Sequence, residues 1–186
     1  MEDNQIIDLY WARSQQAIEE SEAKYGTYCR SVAWNILSRP EDAEECVNDT
    51  WLRAWNAMPP QRPTVLRAFF GALTRNLSLD RWRRERAEKR GGGTVELALE
   101  ELEDCLAARE QVERTVEAQE TARLISDFLR GQTRQDRQLF LRRYWYLDDI
   151  RTLCRRFGMG ESQVKSRLHR MRKKLKQELE QEGVAV

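Results

Sequence analysis

The chain has 186 residues, 40% of them hydrophobic and 34% charged, and a formal net charge of only +1. That profile excludes one large buried core and suits one ordinary domain or two small, surface-rich units. No apolar run approaches the ~18 residues of a membrane span. The first nine residues hold Glu2, Asp3 and Asp8 and lack the basic and apolar regions of a signal peptide. Membrane insertion is therefore not expected, and a reduced, cytoplasmic setting is. Cys29, Cys46, Cys105 and Cys154 show no metal-ligand spacing, and the single histidine, His169, sits in a basic stretch. No metal site and no cofactor are expected, and the thiols read as small buried hydrophobes.

Scarce glycine and proline with abundant Arg, Glu, Leu and Ala favour helix nearly throughout. Ile6, Ile7, Tyr10, Trp11 and Ile18 recur at helical spacing as one apolar face and start the pattern. A second helix is predicted from about Glu22 to Leu37, carrying Tyr25, Cys29, Val32, Ala33 and Ile36 on one side, with Gly26 weakening it locally. Pro40 suits a first helical turn. Glu41, Asp42, Glu44 and Glu45 follow it, beside the positive end of the helix dipole. This third helix should reach about Ala57, with Ala43, Val47, Thr50, Leu52, Ala54 and Trp55, or a near variant of that set, on its core face. Pro59, Pro60 and Pro63 then break the pattern. A fourth helix is expected over about 64–89. Its apolar stripe is Val65, Leu66, Phe69, Phe70, Leu73, Leu77 and Trp82, and Arg75, Arg81, Arg83, Arg84 and Arg86 crowd its second half.

Gly91, Gly92 and Gly93 end that helix, and the acidic residues 91–112 read as a linker that is partly helical at most. Four further helices are predicted, over about 112–129, 133–145, 148–157 and 161–180. The last two, joined by Gly158-Met159-Gly160, have helix-turn-helix layout. Gly158 stands at a left-handed cap, and Met159, Val164 and Leu168 should be buried. Ser162, Gln163, Lys165, Ser166 and Arg167 would then face outward near the start of the final helix. Such a segment reaches base edges, and Arg170, Lys173 and Lys174 beyond it suit phosphates. Charge follows the same division. Residues 75–90 carry net +4 and 161–176 net +6, while 1–56 carry net −6 and 91–120 net −7. Two basic stripes in an acidic chain fit a polyanion touched at two places.

Asp42-Ala43-Glu44-Glu45-Cys46-Val47-Asn48-Asp49-Thr50-Trp51-Leu52-Arg53-Ala54-Trp55 resembles the region 2 signature of sigma-70-type factors of the extracytoplasmic-function group. Asn76-Leu77-Ser78-Leu79-Asp80-Arg81-Trp82-Arg83-Arg84 resembles the promoter-contacting helix of that domain. Phe140 to Tyr144 and Val164 to Arg170 resemble region 4. Asn48, Thr152, Cys154 and Gly160 depart from the usual residues.

The resemblance implies an all-α chain of two small helical domains: region 2 over 1–90, a linker over 91–112 and region 4 over 113–182. It implies an alternative sigma factor that binds core RNA polymerase and promoter DNA, without catalysis. Glu45, Asn48, Asp49 and Arg53 would dock on the β′ coiled coil, and region 4 on the β flap. Met58, Pro59, Pro60 and Arg62 in the loop would contact the −10 element, as would Arg75, Asn76, Asp80, Arg81, Arg83 and Arg84 in the helix. Ser162, Gln163, Lys165, Ser166, Arg167, Arg170, Lys173 and Lys174 would contact the −35 element. An anti-sigma factor is a further partner consistent with the resemblance. Trp51, Phe69, Phe70 and Trp82 are candidate stacking rings, although at helical spacing Phe69 and Phe70 read as core. The competing readings are an operator-binding helix-turn-helix regulator and a scaffold or anti-termination protein. The sensor domain of such a regulator would not need an acidic helix, a proline loop and an arginine-rich helix in that order, and transcription with core polymerase would separate all three readings.

Overall fold

The computed structural model describes residues 1–86, 93–103 and 115–184. The chain divides into two compact units, Met1–Gly91 and Gly92–Val186. Among the described residues every regular element is a helix.

The first unit holds α1 (Asp3–Trp11), α2 (Gln16–Leu37), α3 (Pro40–Ala57) and α4 (Leu66–Arg86). Helix α2 begins about two turns before the sequence expectation, and Gly26 is accommodated in its interior. It ends at Ser38, whose left-handed backbone (φ 55°) makes the cap. Pro40 opens α3 with Glu41 and Asp42 in the first turn, where acidic groups oppose the helix dipole. The helices converge on Phe70. It is fully buried, with the rings of Trp51 and Tyr25 at 5.1 and 5.5 Å. Ile6, Ile7, Tyr10, Cys29, Val47, Ala54 and Leu66 complete this core. Several buried hydroxyls are paired. Tyr10 Oη and Ser21 Oγ lie 3.0 Å apart, as do Thr50 Oγ1 and Thr74 Oγ1, and each threonine hydroxyl is also within hydrogen-bond reach of a carbonyl one turn back, at 2.7 and 2.9 Å. Burial pushes the Cys29 thiol up to about 11 and raises that of Cys46, so both are inert packing groups. Cys154 is half-buried, and Cys105 lies outside the described residues.

Three expectations fail here. Leu52 is 58% exposed. At 100° per residue it faces away from Val47, Thr50, Trp51 and Ala54, and the buried position belongs to Trp51. Val65 precedes the first turn of α4 and is exposed, leaving Leu66 to start the apolar stripe. Met58 is 0% exposed: its thioether fills the core beneath the loop and is withdrawn from any ligand.

The second unit holds α5 (Thr94–Glu103), α6 (Thr115–Arg130), α7 (Arg134–Tyr144), α8 (Ile150–Phe157) and α9 (Glu161–Gln181). Of the expected linker over 91–112, only 93–103 is described. The described part is ordered into α5, which buries Val95 and Ala98 and packs on α7. Helix α5 is held by charge as well. Arg143 of α7, 2% exposed, donates from Nη2 and Nε to the Glu101 carboxylate at 2.8 and 3.2 Å. Tyr144 Oη donates to the same carboxylate at 3.0 Å, and Arg172 of α9 lies 3.5 Å from it. Burial by itself would raise the Glu101 carboxyl. The Arg143 and Tyr144 hydrogen bonds, with the Arg143 and Arg172 charges, hold it below the usual glutamate range. Acidic composition alone suggests a solvated strand of linker, whereas these contacts make 94–103 part of the second unit.

Thr133 caps α7 and Asp149 caps α8, the latter accepting from the Thr152 N–H at 2.6 Å. Gly158 ends α8 in the left-handed conformation (φ 62°), and Gly160 opens α9 without a side-chain cap. Val164, Leu168, Met171, Leu175 and Leu179 form the buried stripe of α9. Met159, expected to be buried, is half-exposed.

Candidate functional site

In the first unit, Ala43, Val47, Thr50 and Ala54 turn α3 inward, so Glu45, Asn48, Asp49 and Arg53 are all exposed, about one turn apart. Glu44 lies on the neighbouring stripe and holds Arg30 of α2 at 2.9 Å. The candidate polymerase-binding residues thus share one face. Glu45 is also engaged within the unit: Arg81 of α4 donates to it at 2.6 Å.

Arg81 departs from its expected role. Its guanidinium reaches Asp42 and Glu45, both at 2.6 Å, and Glu85 at 3.2 Å, and its side chain is 24% exposed. The Glu45 hydrogen bond, ahead of the Glu85 bond and the Asp42 charge, raises its pKa. A cation neutralised by three carboxylates is a clamp between α3 and α4 rather than a free phosphate ligand. Arg75 is half-buried, and burial, then the Arg83 charge, lowers its pKa. Asn76, Asp80, Arg83 and Arg84 are exposed on α4. Arg83 pairs with Asp80 at 3.5 Å, and Arg84 donates to the Asp80 carbonyl at 3.3 Å.

The loop after α3 presents Pro60, Gln61 and Arg62 to solvent, with Pro59 half-buried. Arg62 pairs with Asp8 of α1 at 2.6 Å. The candidate rings divide. Trp51 and Phe70 are core, and Phe69 and Trp82 are half-buried. Trp11, expected on the apolar face of the first helix, is instead 43% exposed and joined to this loop. It lies next to the buried Tyr10, on the outer side of α1.

In the second unit Ser162, Gln163, Lys165 and Ser166 are exposed at the start of α9, and Arg170, Lys173 and Lys174 continue the exposed face. Lys165 pairs with Glu161 at 2.5 Å. Arg167 does not point freely outward. Its Nε lies 3.1 Å from Asp136 and its Nη1 donates to Gln135 at 2.7 Å, both on α7. At 23% exposure it braces α9 against α7, because the angular step from Val164 carries residue 167 toward the packed side.

The first unit is therefore a small helical bundle with an acidic outer face on one helix and an arginine-bearing surface on the next. Residues 23–88, from within α2 through α4, match the family model for sigma-70 region 2. These residues therefore carry a sigma-70 region 2, the domain of a family whose members bind RNA polymerase and act in promoter recognition at transcription initiation. No curated protein matches it. Among the described residues no helix is long and apolar enough to cross a membrane.

Proposed function

We propose that the chain is a sigma factor of the extracytoplasmic-function type, acting by binding rather than catalysis. Region 2 occupies 1–90 and region 4 occupies 113–182, with α5 packed onto the latter. Asn48, Asp49 and Arg53, with Glu45 at their edge, dock on the β′ coiled coil of core polymerase. Pro59, Pro60 and Arg62 of the loop contact the −10 element together with Asn76, Asp80, Arg83 and Arg84 of α4, and melting of that element exposes a single strand to them. Helices α8 and α9 serve as the helix-turn-helix of region 4, touching the β flap and the −35 element. There, Ser162, Gln163, Lys165 and Ser166 read base edges, and Arg170, Lys173 and Lys174 hold phosphates. Arg81 and Arg167 act through positioning.

The observation that carries this reading is the region 2 match, because the matched helices bear both the exposed α3 face and the exposed arginines of α4. The test is transcription by core polymerase on a genomic library with and without the protein. The expected result is a set of new start sites sharing two upstream motifs. Start sites unchanged by the protein overturn the reading. Asp49→Lys should weaken core polymerase binding with helix content retained, and Asp49 is the cleaner probe because Glu45 is shared with Arg81.

A further inference from the structure

We propose that Trp11 is a stacking platform for one unpaired base of single-stranded DNA, with Arg62 beside it, and Arg13 beside Trp55, as phosphate-facing cations. The inference rests on reading the first unit as one that holds a melted promoter strand. Helix α1 lies outside the matched residues 23–88, so the family match assigns it nothing.

Trp11 ends α1 with 43% of its surface exposed, directly after the fully buried Tyr10. The ring is nonetheless fixed. Its indole N–H donates to the Gln61 carbonyl at 3.3 Å, in the loop that follows Pro59 and Pro60. Arg62 of that loop has its guanidinium carbon 5.8 Å from the Trp11 ring centroid and is anchored to Asp8, one turn back on α1, at 2.6 Å. Two residues on, Arg13 adopts a left-handed backbone (φ 55°), which most side chains avoid. That turn sets its guanidinium carbon 5.4 Å from the Trp55 ring centroid and lets it donate to the Trp55 carbonyl at 2.7 Å.

One edge of the unit thus carries two indole rings, each with a guanidinium held beside it. An exposed, oriented ring flanked by fixed cations is the make-up of a single-strand site: the ring stacks a base, and the cations meet the flanking phosphates. Exposed Gln61 adds an amide able to bond a base edge. Asp8, a carboxylate against this cluster, is paired with Arg62. Because both partners of that pair are exposed, a phosphate can compete for Arg62.

The test uses holoenzyme reconstituted from the full chain and core polymerase. The probe is a labelled 12-nucleotide single strand taken from the non-template strand of a promoter found in the transcription experiment. Each nucleotide is replaced in turn by an abasic site. In the wild type, an abasic site at the position served by Trp11 should weaken binding on the order of tenfold, the scale of one base–aromatic stack. Trp11→Ala should weaken the intact strand by a similar factor and become insensitive to that abasic site alone. Trp11→Phe should keep most of the affinity and the sensitivity, because the stack survives the loss of the bond to Gln61.

An unaltered abasic profile in Trp11→Ala overturns the proposal. So does a Phe variant as weak as the Ala variant, since the ring would then only brace the loop. Loss of core polymerase affinity in Trp11→Ala would make the ring a protein contact and also overturn it. A wild-type protein that directs no transcription fails at the earlier step: the sigma reading falls, and this inference falls with it.

Discussion

Glu101→Gln tests whether α5 belongs to the second unit or is a passing stretch of linker. The substitution keeps the shape of the side chain and removes its charge. Arg143, 2% exposed, would keep its bond to the Asp148 carbonyl at 3.0 Å but lose the carboxylate charge it pairs with. Removing one member of a fully buried ion pair costs about 3–5 kcal/mol, because the remaining charge stays desolvated. Glu101 is 29% exposed, so water recovers part of that, and about 2–3 kcal/mol is the expected loss. For a unit of this size each kcal/mol lowers the midpoint by about 4–8 °C, giving a fall of roughly 8–24 °C. Calorimetry of the intact chain measures it, with amide exchange on α7 assigning the transition. The sign with pH is also set. The Glu101 carboxyl lies below its ordinary value of 4.5, so its stabilisation is complete above that value and disappears as pH falls through the lower folded value. The gap between wild type and Glu101→Gln should therefore close in acid. A midpoint shift under about 2 °C at neutral pH, or a gap that persists in acid, would refute the reasoning.

Phe70→Ala empties the centre of the first unit and should cost about 3–5 kcal/mol in urea unfolding, leaving the second unit's transition in place. Arg81→Met leaves Asp42, 5% exposed, without its nearest cation, and should cost about 1–3 kcal/mol by the same method. Asp42→Asn should recover part of that loss in the double variant. On single-base promoter variants, Gln163→Ala should relax discrimination at one or two positions by about 1–3 kcal/mol. Arg167→Ala should weaken every variant alike and lower the stability of the second unit, because its charge is taken up by Asp136. Lys173→Ala should also act uniformly, and it should reduce the salt slope by about one unit.

Much of the architecture follows from short-range information. Pro40 with its acidic first turn, the proline-rich break and Gly158 with Gly160 mark element ends through local backbone and dipole effects that hold in any tertiary setting. The apolar stripe of α9 is equally local, since Val164 and Leu168 lie one turn apart on one face. Periodicity was less reliable at the margins. Leu52 and Val65 are apolar and fall near the stripe, but a shift of one or two positions rotates a side chain by 100–200° and exposes it.

By itself the sequence determined helix, order of elements, the two basic stretches and the family signature, all readable within a turn or two of chain. What only the tertiary structure decided is which charges are free to meet a ligand. Arg81 finds Asp42 across 39 positions, Arg167 finds Gln135 across 32, and Arg143 finds Glu101 across 42. An arginine in a basic run looks available for DNA until the fold brings a carboxylate or amide against it. Helical spacing records which face a residue shares with its neighbours along the chain. The strength of a charge pair depends on separation and burial across the fold, and neither is encoded in that spacing.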